Sequence, residues 1–201
     1  MSQQISMRSV SAFWTLIMAA ALVAAVSSPF AATTAHAAPE AVAFQQNYPL
    51  GAIVVVNKER RLYYVVGKGR ALRYSVAVGK PENQWTGQLF VASRAKNPSW
   101  TSTTTPGLTV GPGPANPLGV RALYLGWTNY RIHGTNAPGS IGSAASGGCF
   151  RMQNVDVVDL YERSSIGAPV IVVDALTDPA SEPGTAKLTA KSKGKAARAV
   201  F

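Results

Sequence analysis

Between Gly51 and Gly79 the chain alternates short apolar runs with polar punctuation: AIVVV, NKER, RLYYVV, GKGR, then ALRYSVAVG. Apolar, β-branched and aromatic runs of four to eight residues, broken by Gly, Asn and Lys turns, predict successive β-hairpins. A buried helix would not tolerate breakers at this spacing. Residues 80–117 are rich in Pro and Gly, with one strand expected near Leu89–Ser93, and the remainder reads as a functional loop or lid. VRALYLG, Val120–Gly126, and NYRIHG, Asn129–Gly134, predict two strands joined through Trp127-Thr128, the second ending on His133. NVDVVDLYERS has the helical pattern. Asn154 is the expected cap, Asp156 and Arg163 match the helix dipole, and Val155, Val158 and Tyr161 form the apolar stripe, which Val157 and Leu160 widen. APVIVVD predicts a last strand over 169–174.

The flanks differ in character. Val10–Val26 is an apolar run after the lone charge Arg8, and Ala35-His36-Ala37 fits a small-residue cleavage site, so residues 1–37 read as a cleaved export signal. The alternative is an uncleaved anchor, since 17 largely apolar residues nearly span a bilayer. No second run of spanning length follows, so no stable transmembrane anchor is expected in the exported protein. Residues 38–47 read as a linker, 48–176 as the folded domain, and 177–201 as a basic disordered tail. Over the whole chain Lys and Arg outnumber Asp and Glu by 19 to 9, which suits an anionic polymer outside the cytoplasm. Nucleic acid is not an expected partner, because the tail lacks aromatic interleaving.

Export sharpens the chemistry. The chain has one cysteine and two histidines, and cleavage after Ala37 would leave only His133 and Cys149. An internal disulfide is then excluded, and so is a zinc site of three or four His and Cys ligands. No metal and no cofactor is expected. Cys149 is an inert thiol, an intermolecular disulfide partner or a nucleophile. A nucleophilic thiol needs a base or positive surroundings, which His133, Arg131 and Arg151 could provide. The run Ser146-Gly147-Gly148-Cys149 permits close backbone approach, making the N–H groups of Gly148 and Cys149 candidate oxyanion donors. Ser146 is expected to bond locally and hold the loop. The carbonyl of Gly134 or Thr135 is the candidate orienter of His133.

HGTN followed by IGSAASGGCFRM resembles the H-G-T…S-x-G-C-(apolar)-R-(Met/Leu) signature of the L,D-transpeptidase catalytic domain, the YkuD domain. NPLGVRALYLG and AIVVVNKERRLYYVVGKGR are similar to that family's approach to its histidine strand and to its opening hairpin. The resemblance implies a mostly β sandwich or barrel with one short helix after the cysteine loop. By motif position it implies Cys149 as nucleophile, His133 as general acid and base, the Gly134 carbonyl as orienter, and Arg151 ordering the site or meeting a substrate carboxylate. Ser146, Thr135 and Arg151 are the candidate substrate contacts. Gly147 departs from the pattern, standing where many members carry histidine. The implied partners are peptidoglycan stem peptides and, as another acyl acceptor, a lysine of an outer-membrane protein, in the periplasm or cell envelope. An L,D-carboxypeptidase and a non-catalytic wall-binding module are the alternatives.

Overall fold

The computed structural model describes residues 39–176, so the expected export signal and basic tail lie outside the described residues. Thirteen strands and one α-helix follow in order: β1 (Glu40–Ala43), β2 (Ile53–Val56), β3 (Arg61–Gly67), β4 (Arg70–Ser75), β5 (Val78–Gly79), β6 (Gly87–Lys96), β7 (Trp100–Thr101), β8 (Thr109–Val110), β9 (Arg121–Leu125), β10 (Arg131–His133), β11 (Ala144–Ser146), β12 (Phe150–Arg151), α1 (Asn154–Arg163) and β13 (Pro169–Val173). Nine strands form one sheet in the order β1-β4-β3-β2-β13-β6-β9-β10-β12. Two small pairs, β11 with β5 and β7 with β8, complete the strand inventory. The mostly β expectation holds, but β1 and β12 end the sheet order without pairing to each other, so no closed barrel forms among the described residues.

The unbroken apolar run of β2 has a direct cause. The strand lies between β3 and β13, and both of its faces are covered, so alternation would bury polar groups. Ile53 and Val55 enter the main core with Leu62, Tyr74, Leu123, Ile132, Phe150 and Leu160. Val54 and Val56 enter a second cluster with Phe44, Tyr63 and Val65. The ten-residue β6 joins the two halves of the sheet. Its first half pairs with β13 and its second with β9, with a register shift between Val91 and Ser93. A bulge of this kind bends a strand and raises its twist, letting both halves face one core.

Four expectations are corrected. Residues 38–47 are not a plain linker: 40–43 form β1, antiparallel to β4, and Phe44 stacks on Tyr63 with ring centroids 4.7 Å apart. The second face of the sheet needs that apolar cover. The strand expected near Leu89–Ser93 runs from Gly87 to Lys96 and is central to the sheet rather than part of a lid. In α1, Val155 leaves the expected stripe, being 55% exposed, while Val157, Leu160 and Tyr161 of that stripe are buried together with Asp156. The cap is Gln153, without a side-chain bond, and Asn154 is the first helical residue.

Candidate active site

β10 is antiparallel to β9 and parallel to β12, pairing Ile132 with Phe150 and His133 with Arg151. Successive side chains of a strand point to opposite faces. Ile132 and Phe150 are buried in the core, so Arg131, His133, Cys149 and Arg151 take the other face. A parallel pair needs a crossover, and residues 134–149 supply it. β11 fastens this crossover to β5, and the Lys80 N–H donates to the Ser146 carbonyl at 2.9 Å. His133 and Cys149, 16 apart in sequence, are thereby brought to one cleft, on β10 and just before β12.

Both line a cleft of about 270 Å³, walled by Trp100, Leu118, Asn129, Tyr130, Arg131 and Arg151 among others. Trp100 belongs to the β7–β8 hairpin, which contributes this residue and Thr103 between its strands to the cleft wall. Buried Asn116 holds its base, donating to the carbonyls of Pro98 (2.7 Å) and Gly111 (2.9 Å) and accepting from the Leu118 N–H (2.8 Å).

His133 is 4% exposed, and its Nδ1 lies 2.6 Å from the Gly134 carbonyl. A carbonyl only accepts, so Nδ1 carries the proton and Nε2 is the basic nitrogen. Burial first, then the positive charges of Arg151 and Arg131, push the His133 pKa down to about 4, against the opposing effect of the Gly134 bond. The imidazole is neutral at pH 7 and able to accept a proton. Cys149 is a free, half-buried thiol. Its Sγ donates to the Asn129 carbonyl at 3.7 Å rather than to His133, so the thiol must turn from one acceptor to the other to react. Catalytic hydrogen bonds in unliganded sites are often loose in this way.

A pH prediction follows from the burial of His133. The unfolded imidazole takes its proton near pH 6.5 and the folded one only near 4. The neutral buried ring therefore contributes stability that is complete above about 6.5 and declines as the pH falls towards 4. The acid limb of kcat/KM is expected near pH 4. A limb near 6.5, in protein still folded by circular dichroism, would show that His133 titrates as a solvated residue.

The other expected site residues fall into two groups. Arg151 lines the cleft, with its backbone paired to Ala77. Ser146 is buried and braces the loop, donating from Oγ to the Cys149 carbonyl at 2.5 Å. The same Oγ accepts the Gly148 N–H at 3.1 Å. Gly148 is thus corrected as a free oxyanion donor: its N–H is engaged within the loop. Thr135 is corrected as a substrate contact, being 3% exposed and outside the cleft wall, with its backbone held by Asn154. Gly148 is glycine for space, because a Cβ there would lie 2.7 Å from Tyr130 Cε1. At Gly147 a Cβ would meet nothing within 4 Å, so this stretch of cleft wall is open.

Sequence reasoning missed Trp85, whose Nε1 donates to the Gly148 carbonyl at 3.0 Å and whose ring stacks on Tyr130 at 4.7 Å. The only available signal was a large aromatic in a breaker-rich segment. Among the described residues, no group of three or more His, Cys, Asp or Glu could hold a metal ion. No helix among them is long and apolar enough to cross a membrane.

The family model described as the L,D-transpeptidase catalytic domain matches residues 51–172. "Probable L,D-transpeptidase YbiS" of Escherichia coli (strain K12) is 35% identical over 148 residues, covering 65% of this chain and 47% of that protein. "Probable L,D-transpeptidase ErfK/SrfK" of Salmonella typhimurium is 31% identical over 138 residues, covering 62% and 44%. The chain thus spans about half the length of these curated relatives. Among solved structures, the catalytic domain of the Enterococcus faecium L,D-transpeptidase aligns with a TM-score of 0.52 and 20% identity, covering 64% of this chain and 100% of that one. At that identity the likeness concerns the fold.

Proposed function

The chain belongs to the L,D-transpeptidase catalytic domain family, and we propose that it transfers peptidoglycan stem peptides through a thioester on Cys149. One observation carries this reading: Cys149, immediately before β12, and His133, on the adjoining parallel β10, line one cleft, with His133 Nδ1 held by a carbonyl so that Nε2 is basic.

Cys149 Sγ attacks the carbonyl carbon of the third stem residue, a diamino acid, while His133 Nε2 takes the thiol proton. Charge develops on the carbonyl oxygen, and the Cys149 N–H is the backbone donor assigned to it; Gly148 can join only by releasing Ser146 Oγ. The C–N bond to the terminal D-Ala breaks, and His133 delivers the proton to the leaving amine. An acceptor amine then attacks the thioester, His133 takes the amine proton, and the proton returns to Sγ. A neighbouring diamino acid as acceptor gives a 3→3 cross-link. A lysine of an outer-membrane protein would give an anchored protein, and water a shortened stem. Arg151, on the cleft wall, is assigned to a stem carboxylate, and the cationic surface to the anionic wall. The export signal read over residues 1–37 and the envelope location it implies belong to this proposal.

The test is intact-mass spectrometry of the protein with disaccharide-tetrapeptide. The expected result is an adduct lacking one D-Ala, followed by cross-linked dimers. An adduct that resolves only to tripeptide would assign an L,D-carboxypeptidase. No adduct and no D-Ala release, from folded protein with reduced thiol, would leave a non-catalytic wall-binding module.

A further inference from the structure

We propose that Asn154 is a positioning residue for His133, acting through the peptide unit that joins Gly134 to Thr135. The proposal rests on the reading of Cys149 and His133 as nucleophile and base.

The two ends of that peptide unit have different partners. Its oxygen, the Gly134 carbonyl, meets His133 Nδ1 at 2.6 Å. Its N–H, that of Thr135, donates to Asn154 Oδ1 at 3.1 Å. Asn154 Nδ2 donates in turn to the Thr135 carbonyl at 3.0 Å, so one side-chain amide grips both backbone groups of Thr135. The same Oδ1 accepts, more weakly, from the Val120 N–H at 3.4 Å, tying the grip to the approach to β9. The Gly134 N–H, which belongs to the preceding peptide unit, donates to the Arg121 carbonyl at 3.1 Å. The orienting peptide is therefore held directly by Asn154 at the start of the helix, and the peptide before it by the sheet.

Space around the grip is closed. A Cβ on either Gly134 or Gly119 would lie 2.1 Å from Asn154 Oδ1. Both positions are glycine because this amide occupies the volume their side chains would need. The helix has no use of its own for asparagine here. Asn154 is the first helical residue, it is not the cap, and asparagine is a poorer helix former than Ala, Glu or Gln. A residue that departs from the local preference while completing a hydrogen-bond network next to a reactive pair serves the site rather than the element.

The consequence is tautomeric. Which nitrogen of a histidine carries the proton is set by the bond the other makes. Without the grip the Gly134–Thr135 peptide can rotate, its carbonyl leaves Nδ1, and the form protonated on Nε2 becomes populated. That form cannot accept the Cys149 proton.

The test uses the full chain carrying His36→Gln, which leaves His133 as the sole imidazole. Nitrogen-15 NMR of the ring reads the tautomer, and iodoacetamide alkylation at pH 7 reads Cys149. The parent is expected to show the single Nδ1–H form. Asn154→Ala, folded but melting lower because the buried Thr135 backbone loses its partners, is expected to show mixed tautomers and alkylation slower by about tenfold, part of the rate a positioned base supplies. Asn154→Asp keeps the acceptor for the Thr135 N–H and is expected to restore the single tautomer and most of the rate. Should Asn154→Ala not fold, Asn154→Ser, too short to reach Thr135, takes its place with the same expected results. A folded Asn154→Ala, or its Ser substitute, with parental tautomer and rate would overturn the proposal. An Asn154→Asp as mixed and as slow as Asn154→Ala would also overturn it, because the acceptor would then not matter. Neither readout needs a stem peptide. If the parent fails to turn over disaccharide-tetrapeptide while the tautomer still follows Asn154, the substrate reading fails and the positioning role stands.

Discussion

Replacing Cys149 with alanine is expected to abolish the thioester adduct and lower turnover of disaccharide-tetrapeptide by about 10⁴-fold or more, as loss of a covalent nucleophile does in enzymes whose site acts as a unit. No second thiol can substitute, since Cys149 is the only cysteine in the chain. His133 could at most activate water, without the covalent intermediate that divides the reaction into two easier steps. The fold should be indifferent to the change. Its Sγ makes a long hydrogen bond, 3.7 Å to the Asn129 carbonyl, and the residue is half-buried rather than packed in the core. The melting temperature is therefore expected to stay within a few degrees, corresponding to a change of roughly 1 kcal/mol. Product chromatography and intact mass, run beside a thermal melt, make the comparison. Turnover surviving in a folded Cys149→Ala variant would remove the thiol from the mechanism.

The second large effect is on stability. Gly119→Ala is expected to destabilise the protein by about 4 kcal/mol, from two separate causes. Gly119 has φ +62°, the left-handed region, which costs an alanine roughly 1 kcal/mol. The added Cβ would also lie 2.1 Å from Asn154 Oδ1, 2.5 Å from Thr135 N and 2.8 Å from the Gly134 carbonyl carbon. Two of those three atoms are backbone and cannot step aside without moving the peptide that orients His133, so overpacking adds about 3 kcal/mol. A chain of this size loses roughly 2–4 °C of melting temperature per kcal/mol, so a fall of about 8–16 °C is expected. Gly147→Ala is the contrast. Its Cβ meets nothing within 4 Å and its φ is not in the left-handed region. Its melt is expected to move by no more than about 0.5 kcal/mol in equivalent stability. Equal melts for the two variants would show that the Gly119 contact relaxes freely.

Much of the architecture was legible because its causes are local. Turns at Asn57–Arg60 and Gly67–Gly69 punctuate runs that can only be strands, and β2, β3, β4, β9, β10 and β13 fall where apolar and β-branched runs bounded by turn residues placed them. The single cysteine, Cys149, was legible directly, and His133 is the one histidine among the described residues. Phe44 was not legible as core, because nothing near it reveals that the sheet has a second face to cover. β6 was read short because only Val91 is fully buried in it, and a bulged strand bridging two halves of a sheet keeps no clean alternation. Asn154 was read as a helix cap on its residue type, which is correct for an isolated helix end. In the folded protein its amide meets Thr135, 19 residues away, and that competing bond pulls it one position into the helix.

The division between the two levels follows the range of the interactions. The strands β2, β3, β4, β9, β10 and β13, the turns between them and the helix α1 depend on neighbours in sequence, so the sequence alone determined them, as it did the presence of one thiol. The protonated nitrogen of His133, the engagement of the Gly148 N–H by Ser146, the burial of Thr135 and the clamp at Asn154 each depend on a hydrogen-bond partner that only the folded backbone delivers. Hydrogen bonds are effective within about 3 Å and are steeply directional. The tertiary structure decided them because no spacing along a chain can specify a distance of that precision.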